Sequence, residues 1–204
     1  MVIVITGASS GIGLATAKML SEKGFVVVGI SRHPKTDVGF ETIACDLTNY
    51  EETQFVLKQI FAKHGNIDVL VNNAGMGIAG AIEHTSLEDI HKQFNINLFA
   101  LINTCKCVTP LMRAQGGGKI INISSVAGVV PIPFQTAYAT SKSAVDMFSI
   151  SYGLEVSDFG IQIAAVMPGD TKTGFTASRV KTDVLEDDNY DLRIRKSIAR
   201  MEKD

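Results

Sequence analysis

Six short runs of apolar, largely β-branched residues recur along the chain, at residues 2–6, 25–30, 42–45, 67–72, 119–124 and 161–167. Their apolar character is continuous rather than alternating, which is typical of strands buried on both faces of a parallel sheet. We therefore expect these six runs to form a parallel sheet at the centre of the protein.

Residues with helical spacing fill the gaps between the apolar runs. The predicted helices cover about Gly11 to Lys23, Tyr50 to His64, Ser86 to Ala114 and Tyr138 to Ser157. The third should begin at Ser86, because an acidic residue three positions later completes a loose capping box. Strands that alternate with helices in this way indicate a single domain with a doubly wound, Rossmann-type α/β sheet.

The last part of the chain differs from the rest. Apolar runs stop after Thr171, and residues 171–204 are rich in charge with one weak helical period. We expect this segment to form a substrate lid and a C-terminal helix. Because "KSIARMEKD" has no glycine stop signal, truncation of a longer chain is favoured over a naturally short protein.

Composition limits the classes of partner. The 204 residues are 46% hydrophobic and 20% charged, with a net charge of −2 and three cysteines. This charge gives no basic field for nucleic acid or acidic lipid. The apolar opening "MVIVIT" is too short for a membrane span and lacks a charged leader, so we expect a cytoplasmic protein. The spacing of cysteines and histidines predicts neither disulfides nor a metal site.

A glycine-rich loop, "TGASSGIG", lies between the first apolar run and the first predicted helix. Glycines let a backbone approach a pyrophosphate closely, and free amides at a helix N-terminus bind anions. The G-K-[ST] of a nucleoside triphosphate loop is missing. The loop therefore predicts a dinucleotide site formed by Gly7, Ser9, Ser10, Gly11, Ile12 and Gly13.

Two polar residues, Ser31 and Arg32, follow the second apolar run, where the adenosine ribose of a dinucleotide should lie. An acidic residue at this place binds a free 2′-hydroxyl, whereas a basic residue accommodates a 2′-phosphate. A guanidinium pairs well with phosphate and Ser31 adds a donor. NADP(H) is therefore favoured over NAD(H).

A tyrosine and a lysine, Tyr138 and Lys142, stand four residues apart in the fourth predicted helix. Side chains at this spacing project from one helix face. An ammonium near a phenol favours the phenolate and lowers the pKa of the tyrosine. The pair is therefore a candidate for proton exchange, although an ordinary helix face is the favoured explanation of an isolated Y-x-x-x-K.

Seven motifs favour proton exchange over an ordinary helix face for Tyr138 and Lys142, because together the motifs resemble the short-chain dehydrogenase/reductase family. In chain order they are "TGASSGIG", "CDLT" at 45–48, "NNAG" at 72–75, "NINLFA" at 95–100, "NISSVAG" at 122–128, "YATSK" at 138–142 and "PGDTKT" at 168–173. The resemblance spans Val2 to Thr173 and implies a Rossmann-type oxidoreductase that binds a nicotinamide dinucleotide.

The resemblance also implies residue roles. Asp46 and its neighbour Leu47 would contact the adenine, while Tyr138 and Lys142 would also hold the cofactor. The remaining cofactor contacts would be Asn73, Ala74 and Gly75 at the adenosine ribose, and Pro168, Gly169, Thr171 and Thr173 at the nicotinamide.

The implied catalytic residues are Asn97, Ser125, Tyr138 and Lys142. Ser125 is chosen over Ser124, and Asn97 over Asn95, by position in the motifs. Ser125 would bind the substrate oxygen and Tyr138 would give it a proton while the nicotinamide delivers hydride. Lys142 would lower the tyrosine pKa and hold the nicotinamide ribose, and Asn97 would position a water.

The apolar segments 76–80 and 129–135 are the expected walls of the substrate site, although core packing would explain most of their residues equally well. They predict an apolar ketone or aldehyde of moderate size, with reduction as the direction. A non-catalytic dinucleotide sensor and a lyase or epimerase on the same scaffold are the alternatives. The resemblance also implies a homodimer or homotetramer, paired through the predicted helices 86–114 and 138–157.

Overall fold

A computed structural model describes residues 1–171, 173, 179–181 and 191–201 of the chain. The parts of the predicted lid at 172, 174–178, 182–190 and 202–204 lie outside the described residues. The elements, in chain order, are β1 (Val2–Thr6), α1 (Gly11–Glu22), β2 (Val26–Ser31), β3 (Glu41–Ala44), α2 (Tyr50–His64), β4 (Val69–Asn72), β5 (Ile78–Ala79), α3 (Leu87–Phe94), α4 (Ala100–Ala114), β6 (Gly118–Ile123), α5 (Thr136–Val156), β7 (Ile161–Val166), β8 (Val180–Lys181) and α6 (Asp191–Met201).

Six of these strands form one parallel sheet in the order β3-β2-β1-β4-β6-β7. Each arises from one of the six predicted runs, which confirms the doubly wound α/β fold. β1 lies at the centre, where Ile5 pairs with Gly29 on one side and with Val71 on the other. The chain first builds the sheet outward through β2 and β3, then returns to the other side of β1 and continues through β4. This reversal creates a crevice at the carboxyl ends of β1 and β4.

Both faces of the central strand β1 are covered, which explains why its residues are buried at every position. Val4 packs in the larger core cluster with residues of α2, α4 and α5. Ile3 and Ile5 point to the opposite face and pack with Ala17 of α1. Both Val4 and Ile5 are 0% exposed. Alternate residues of β1 thus serve two different cores.

A chain of buried polar side chains joins the sheet to two helices. Asn72 of β4 donates from Nδ2 to Oδ1 of Asn122 on β6 over 2.9 Å. The Thr104 hydroxyl of α4 donates to the side-chain Oδ1 atom of Asn72 over 2.6 Å. Asn122 donates from Nδ2 to the Ser149 hydroxyl of α5 over 2.8 Å. Because these groups are buried, their mutual hydrogen bonds fix the position of both helices against the sheet. Asn72 therefore braces the central strands.

The predicted helix from Ser86 to Ala114 is divided. Ser86 caps its start as expected, because its hydroxyl accepts the Asp89 amide over 3.0 Å. Between α3 and α4, however, residues Asn95–Phe99 form a π-helical turn, in which the Ala100 amide donates to the Asn95 carbonyl. The wider turn places Asn97 inward, where its carboxamide bonds the main chain of Met76. Spacing of apolar residues does not reveal one inserted residue, so the sequence predicted an unbroken helix.

Within the described residues, no helix is both long enough and apolar enough to cross a membrane.

Candidate active site

A cleft of about 880 Å³ opens at the carboxyl ends of the strands, along the crevice between β1 and β4. It collects residues from six separate loops and from the start of α5. Among the predicted site residues, those that line it are Gly7, Ser9, Ser10, Gly11, Ile12, Ser31, Arg32, Asp46, Leu47, Asn73, Ala74, Gly75, Ser125, Tyr138, Lys142, Pro168, Gly169, Thr171 and Thr173. The structure therefore brings together residues that the sequence separates by more than 160 positions.

The glycine loop after β1 is held against the end of β4. Gly7 has a φ of +68°, and a Cβ atom there would lie 2.9 Å from the Ala74 Cα atom. Asn73 donates from Nδ2 to the Thr6 carbonyl over 3.0 Å, while the Thr6 hydroxyl accepts the Asn73 amide over 2.9 Å. These contacts leave the loop backbone open to the cleft, at the start of α1. The Ser10 side chain makes no capping bond there, so it does not compete with an anion for the first amides of the helix.

Gly13 does not line the cleft, although it was predicted as a cofactor contact. A Cβ atom at this position would lie 2.4 Å from Asn73 Nδ2 and 2.5 Å from the Gly7 carbonyl oxygen. Gly13 therefore lies behind the cleft lining, where its lack of a side chain lets α1 approach the glycine loop and the end of β4. Gly13 thus makes no direct contact with the cleft, but it still shapes the site by its position in the loop.

The part of the cleft that was predicted to hold the adenosine carries charges of both signs. Arg32 follows β2, and Asp46 follows β3 at the neighbouring strand end. Asp46 Oδ1 accepts the Thr48 amide over 3.0 Å and the Thr48 hydroxyl over 2.8 Å. These bonds are the main reason that the pKa of Asp46 is lowered, and the nearby Arg32 guanidinium lowers it further. A carboxylate fixed in this way is a ready acceptor for an amino group.

The two neighbouring serines at the end of β6 have different roles. The Ser124 hydroxyl is buried and donates to the Lys142 carbonyl over 3.2 Å, which ties the strand end to α5. Both serines line the cleft, but it is Ser125 that is hydrogen-bonded to the side chain of Tyr138. The structure thus pairs Tyr138 with Ser125, the serine that the motif position selects.

Lys142 lies one helical turn beyond the tyrosine and is 5% exposed. Its Nζ atom donates to the Ile123 carbonyl over 2.8 Å and lies 5.9 Å from the centroid of the Tyr138 ring. Burial lowers the lysine pKa to about 8, and the negative charge of Asp146 opposes this shift. The ammonium is therefore close to its titration point at neutral to mildly alkaline pH.

The pKa of Tyr138 does not follow the sequence-based expectation. Burial raises it, while the hydrogen bond with Ser125 and the charge of Arg179 lower it in part. The effect of burial therefore outweighs the lowering that the neighbouring Lys142 was expected to produce. Tyr138 is thus held in its protonated form, which is the form that can donate a proton.

Asn97 is 1% exposed and lies behind the cleft wall. Its Oδ1 atom accepts the Met76 amide over 2.8 Å, and its Nδ2 atom donates to the Met76 carbonyl and to the Ser141 hydroxyl, each over 3.0 Å. The carboxamide is therefore occupied by protein groups and locks the loop after β4 to α5. Its role in positioning a water remains a prediction.

The comparisons with known proteins agree with this geometry. Residues 1–184 match the family described as short chain dehydrogenase. The chain belongs to the short-chain dehydrogenase/reductase family. A 3-ketodihydrosphingosine reductase from Bacteroides thetaiotaomicron is 44% identical over the whole chain and 76% of its own length.

Solved structures of this family show the same architecture. A short-chain dehydrogenase from Streptomyces avermitilis superposes with a TM-score of 0.87 at 30% identity, over 99% of this chain and 77% of its own. ElxO with NADP bound has a TM-score of 0.80 at 30% identity, over 84% of this chain and 74% of its own. An NAD⁺-bound xylitol dehydrogenase has a TM-score of 0.79 at 30% sequence identity. The superposition covers 83% of this chain and 70% of the xylitol dehydrogenase chain. Both forms of nicotinamide dinucleotide therefore occur among similar structures.

The cleft of this short-chain dehydrogenase/reductase fits a nicotinamide dinucleotide. Gly7 leaves space where a Cβ atom would fill the loop, and the start of α1 offers amides to a pyrophosphate. Asp46 lines the cleft where the adenosine was predicted to lie, and Lys142 and Tyr138 line the same cleft at the start of α5. Together, these residues can hold such a cofactor along the whole length of the cofactor.

The fold also brings to the cleft residues that were not among the predicted contacts. Lys92 and Asn95 reach it from α3 and the π-helical turn, and Arg179 from the residue before β8; His33, Ile96, Ala100 and Asp170 line it too. Asp170 lies inside the motif at 168–173, and His33 directly follows Arg32, so both adjoin predicted contacts. Lys92 and Arg179 carry no local signal, because only tertiary packing brings them here.

One predicted wall of the substrate site is wrong. Ile78 and Ala79 form β5, which pairs with β8, and both are 3% exposed. The segment 76–80 contributes no residue to the described cleft lining, whereas Ile132 and Gln135 of the other predicted wall do line it. The apolar character of 76–80 reflects this strand pairing.

Gly13→Ala should destabilise the protein by about 1–3 kcal/mol, because the added methyl group would clash with the Gly7 backbone and the Asn73 side chain. Gly153→Ala is the matched control, since a Cβ atom in that α5 position would meet only Ile163 at 3.7 Å. The control should stabilise by up to about 1 kcal/mol through helix propensity. Urea denaturation of both variants measures the two effects, and equal stability of Gly13→Ala and native protein would contradict the packing role.

Proposed function

We propose that this protein is an NADP(H)-dependent oxidoreductase that reduces an apolar ketone or aldehyde of moderate size. The observation that carries the proposal is the hydrogen-bonded pair Ser125 and Tyr138, which lies in the same cleft as the glycine loop and Arg32. Hydroxyl groups of this kind bind and protonate a carbonyl oxygen. The glycine loop and Arg32 hold a phosphorylated dinucleotide at the other end.

The chain's own residues supply the proton chemistry. A bound nicotinamide supplies the hydride for the carbonyl carbon. Ser125 donates a hydrogen bond to the substrate oxygen and orients it toward the Tyr138 hydroxyl. Tyr138 then transfers its proton to that oxygen, and its raised pKa keeps it protonated beforehand. The charged Lys142 stabilises the tyrosinate left behind and holds the nicotinamide ribose.

The preference for NADP(H) is supported by the charge at the adenosine end. Ser31 and Arg32 line the cleft immediately after β2, where the ribose 2′ position lies in folds of this type. Arg32 is exposed, so it can turn toward a 2′-phosphate. Its guanidinium would stabilise that phosphate through two parallel hydrogen bonds.

The apolar substrate is supported by the lining beyond the tyrosine and by one relative. Val126, Ala127 and Ile132 line the cleft near Ser125. The relative from Bacteroides thetaiotaomicron is named for reduction of a 3-ketosphingoid, which is an aliphatic ketone. We propose a substrate of this chemical class, with residues 171–204 as a lid over it. Thr171, Thr173 and Arg179 already line the cleft from this segment.

Arg32→Ala should weaken NADPH binding about ten- to a hundredfold, because a charge-assisted bidentate pair is lost, and leave NADH binding nearly unchanged. Lys35→Ala is the matched control, since Lys35 belongs to the same loop but does not line the cleft. Fluorescence titration with each nucleotide measures both constants. An unchanged ratio of NADPH to NADH affinity in Arg32→Ala would sink the assignment.

Tyr138→Phe should lower the reduction rate by about a hundredfold to ten-thousandfold and leave NADPH binding intact, because it removes only the proton donor. Ser125→Ala should also lower the rate strongly, whereas Ser124→Ala should mainly lower stability by about 1 kcal/mol. Stopped-flow oxidation of NADPH with a panel of aliphatic ketones measures these rates. Nucleotide binding without turnover by the native protein would favour the sensor alternative.

We further propose a homo-oligomer in which α5 packs against a second copy of the chain. Met147, Ile150 and Leu154 form one stripe of α5 and are 63%, 62% and 76% exposed. Ile150→Lys should shift the protein toward monomers, because a charge cannot be buried there without a partner. Phe55→Lys, at an exposed apolar position on α2, is the control. Sedimentation equilibrium measures the shift, and a native monomer would contradict the proposal.

A further inference from the structure

A buried carboxylate lies one turn beyond Lys142 on α5 and takes no part in the mechanism above. Asp146 is 7% exposed, and neither of its carboxylate oxygens has a hydrogen-bond partner. A buried charge without hydrogen bonds is costly, so such a residue lowers the stability of the fold. Its presence calls for a function that offsets this cost.

The position of Asp146 is defined by the turn that follows Ser125. A Cβ atom on Gly128 would lie 2.5 Å from Asp146 Oδ2 and 3.1 Å from the Lys142 carbonyl carbon. The Ser143 hydroxyl donates to the Gly128 carbonyl. The turn at 126–128 thus packs directly on the segment of α5 between Lys142 and Asp146, and it shields the carboxylate from solvent.

Asp146 is the charged group that acts on Lys142. Its negative charge opposes the effect of burial on that lysine. The neighbours of α5 include β5, β7, the π-helical turn and the turn at 126–128, whose described residues carry no charged side chain. Other charges come from α3, from α4, from the turn after α5 and from the segment before β8; these are Glu88, Asp89, His91, Lys92, Lys106, Arg113, Asp158 and Arg179, all at least partly exposed.

We propose that Asp146 is a positioning residue that acts through Lys142: its buried negative charge keeps the neighbouring ammonium protonated in a site that would otherwise discharge it. This inference rests on the proposed function, because it assumes that Lys142 holds the nicotinamide ribose. Without the carboxylate, burial alone governs the lysine, which would lose its proton at lower pH. The site would then lose its charge within the working range of the enzyme.

A purely structural role predicts a different result. Because the carboxylate oxygens accept no hydrogen bonds, Asp146→Asn keeps the shape and breaks no bond. Thermal stability should be unchanged or higher, since a buried charge has been removed. A variant that is as stable as the native protein but has an altered dependence on pH is the signature of an electrostatic role.

The test compares Asp146→Asn with Glu155→Gln, which removes one negative charge from an exposed position of the same helix. Fluorescence titration with NADPH between pH 6 and about 10 gives the alkaline midpoint at which affinity falls. In Asp146→Asn this midpoint should move to lower pH by about one unit, while Glu155→Gln keeps the native value. The alkaline limb of the reduction rate should move in the same direction.

Superimposable binding profiles of Asp146→Asn and native protein would overturn the proposal. If Asp146→Asn does not fold, Asp146→Ser removes the same charge with a smaller side chain and gives the same readout. The titration needs no turnover, so it separates the two levels of inference. Native protein that binds no nucleotide contradicts the proposed function, whereas native binding with an unshifted variant contradicts the role of Asp146 alone.

Discussion

The parallel pairing of β4 with β1 is the constraint on which the site depends. Parallel strands end at the same edge of a sheet, so the loops after β1, β2, β3, β4, β6 and β7 all meet there. The Thr6 hydroxyl accepts the amides of both Asn73 and Ala74, and thereby fixes the ends of the two central strands together. The cofactor end and the proton-donating end of the cleft are spaced by this sheet, not by the loops themselves.

Burial governs the charge of the corner of the cleft that Ser125, Tyr138 and Lys142 form. It raises the pKa of Tyr138 and lowers that of Lys142, so both groups move toward forms with less charge. The corner would be electrically neutral if burial acted alone. Opposing interactions, from Ser125 and Arg179 on the tyrosine and from Asp146 on the lysine, limit this tendency. The balance makes the pair sensitive to small changes in its surroundings, including the arrival of a charged cofactor.

The elements of the main sheet were predictable because their sequence signals are local. Continuous apolar runs identified all six strands of the main sheet, and the glycine loop and Ser86 marked the helix starts correctly. The π-helical turn at Asn95–Phe99 was missed, since it depends on hydrogen bonds from Asn97 to the distant Met76 and Ser141. The wrong substrate wall at 76–80 has a similar cause, because a strand and a cavity wall present the same apolar pattern.

Among the site residues too, local motifs were predictable, whereas properties that depend on tertiary contacts were not. Motif position selected Ser125 over Ser124, and the structure pairs it with Tyr138. The direction of the Tyr138 pKa shift could not be predicted from Y-x-x-x-K spacing, because it depends on where the Lys142 ammonium points and how deeply the phenol is buried. Asp146 was overlooked for the same reason: nothing in its local sequence tells that both carboxylate oxygens lack partners.

The topology of the sheet also has a consequence for the time course of folding. Neighbouring strands are never joined by a hairpin: Val4 pairs with Leu70, and Val69 with Lys119. Each pairing must therefore close a long loop before it gains any contact energy, which slows folding relative to proteins built from local contacts. The apolar edge of β1 stays open until β4 has been synthesised, so the nascent chain passes through a stage that is prone to aggregation.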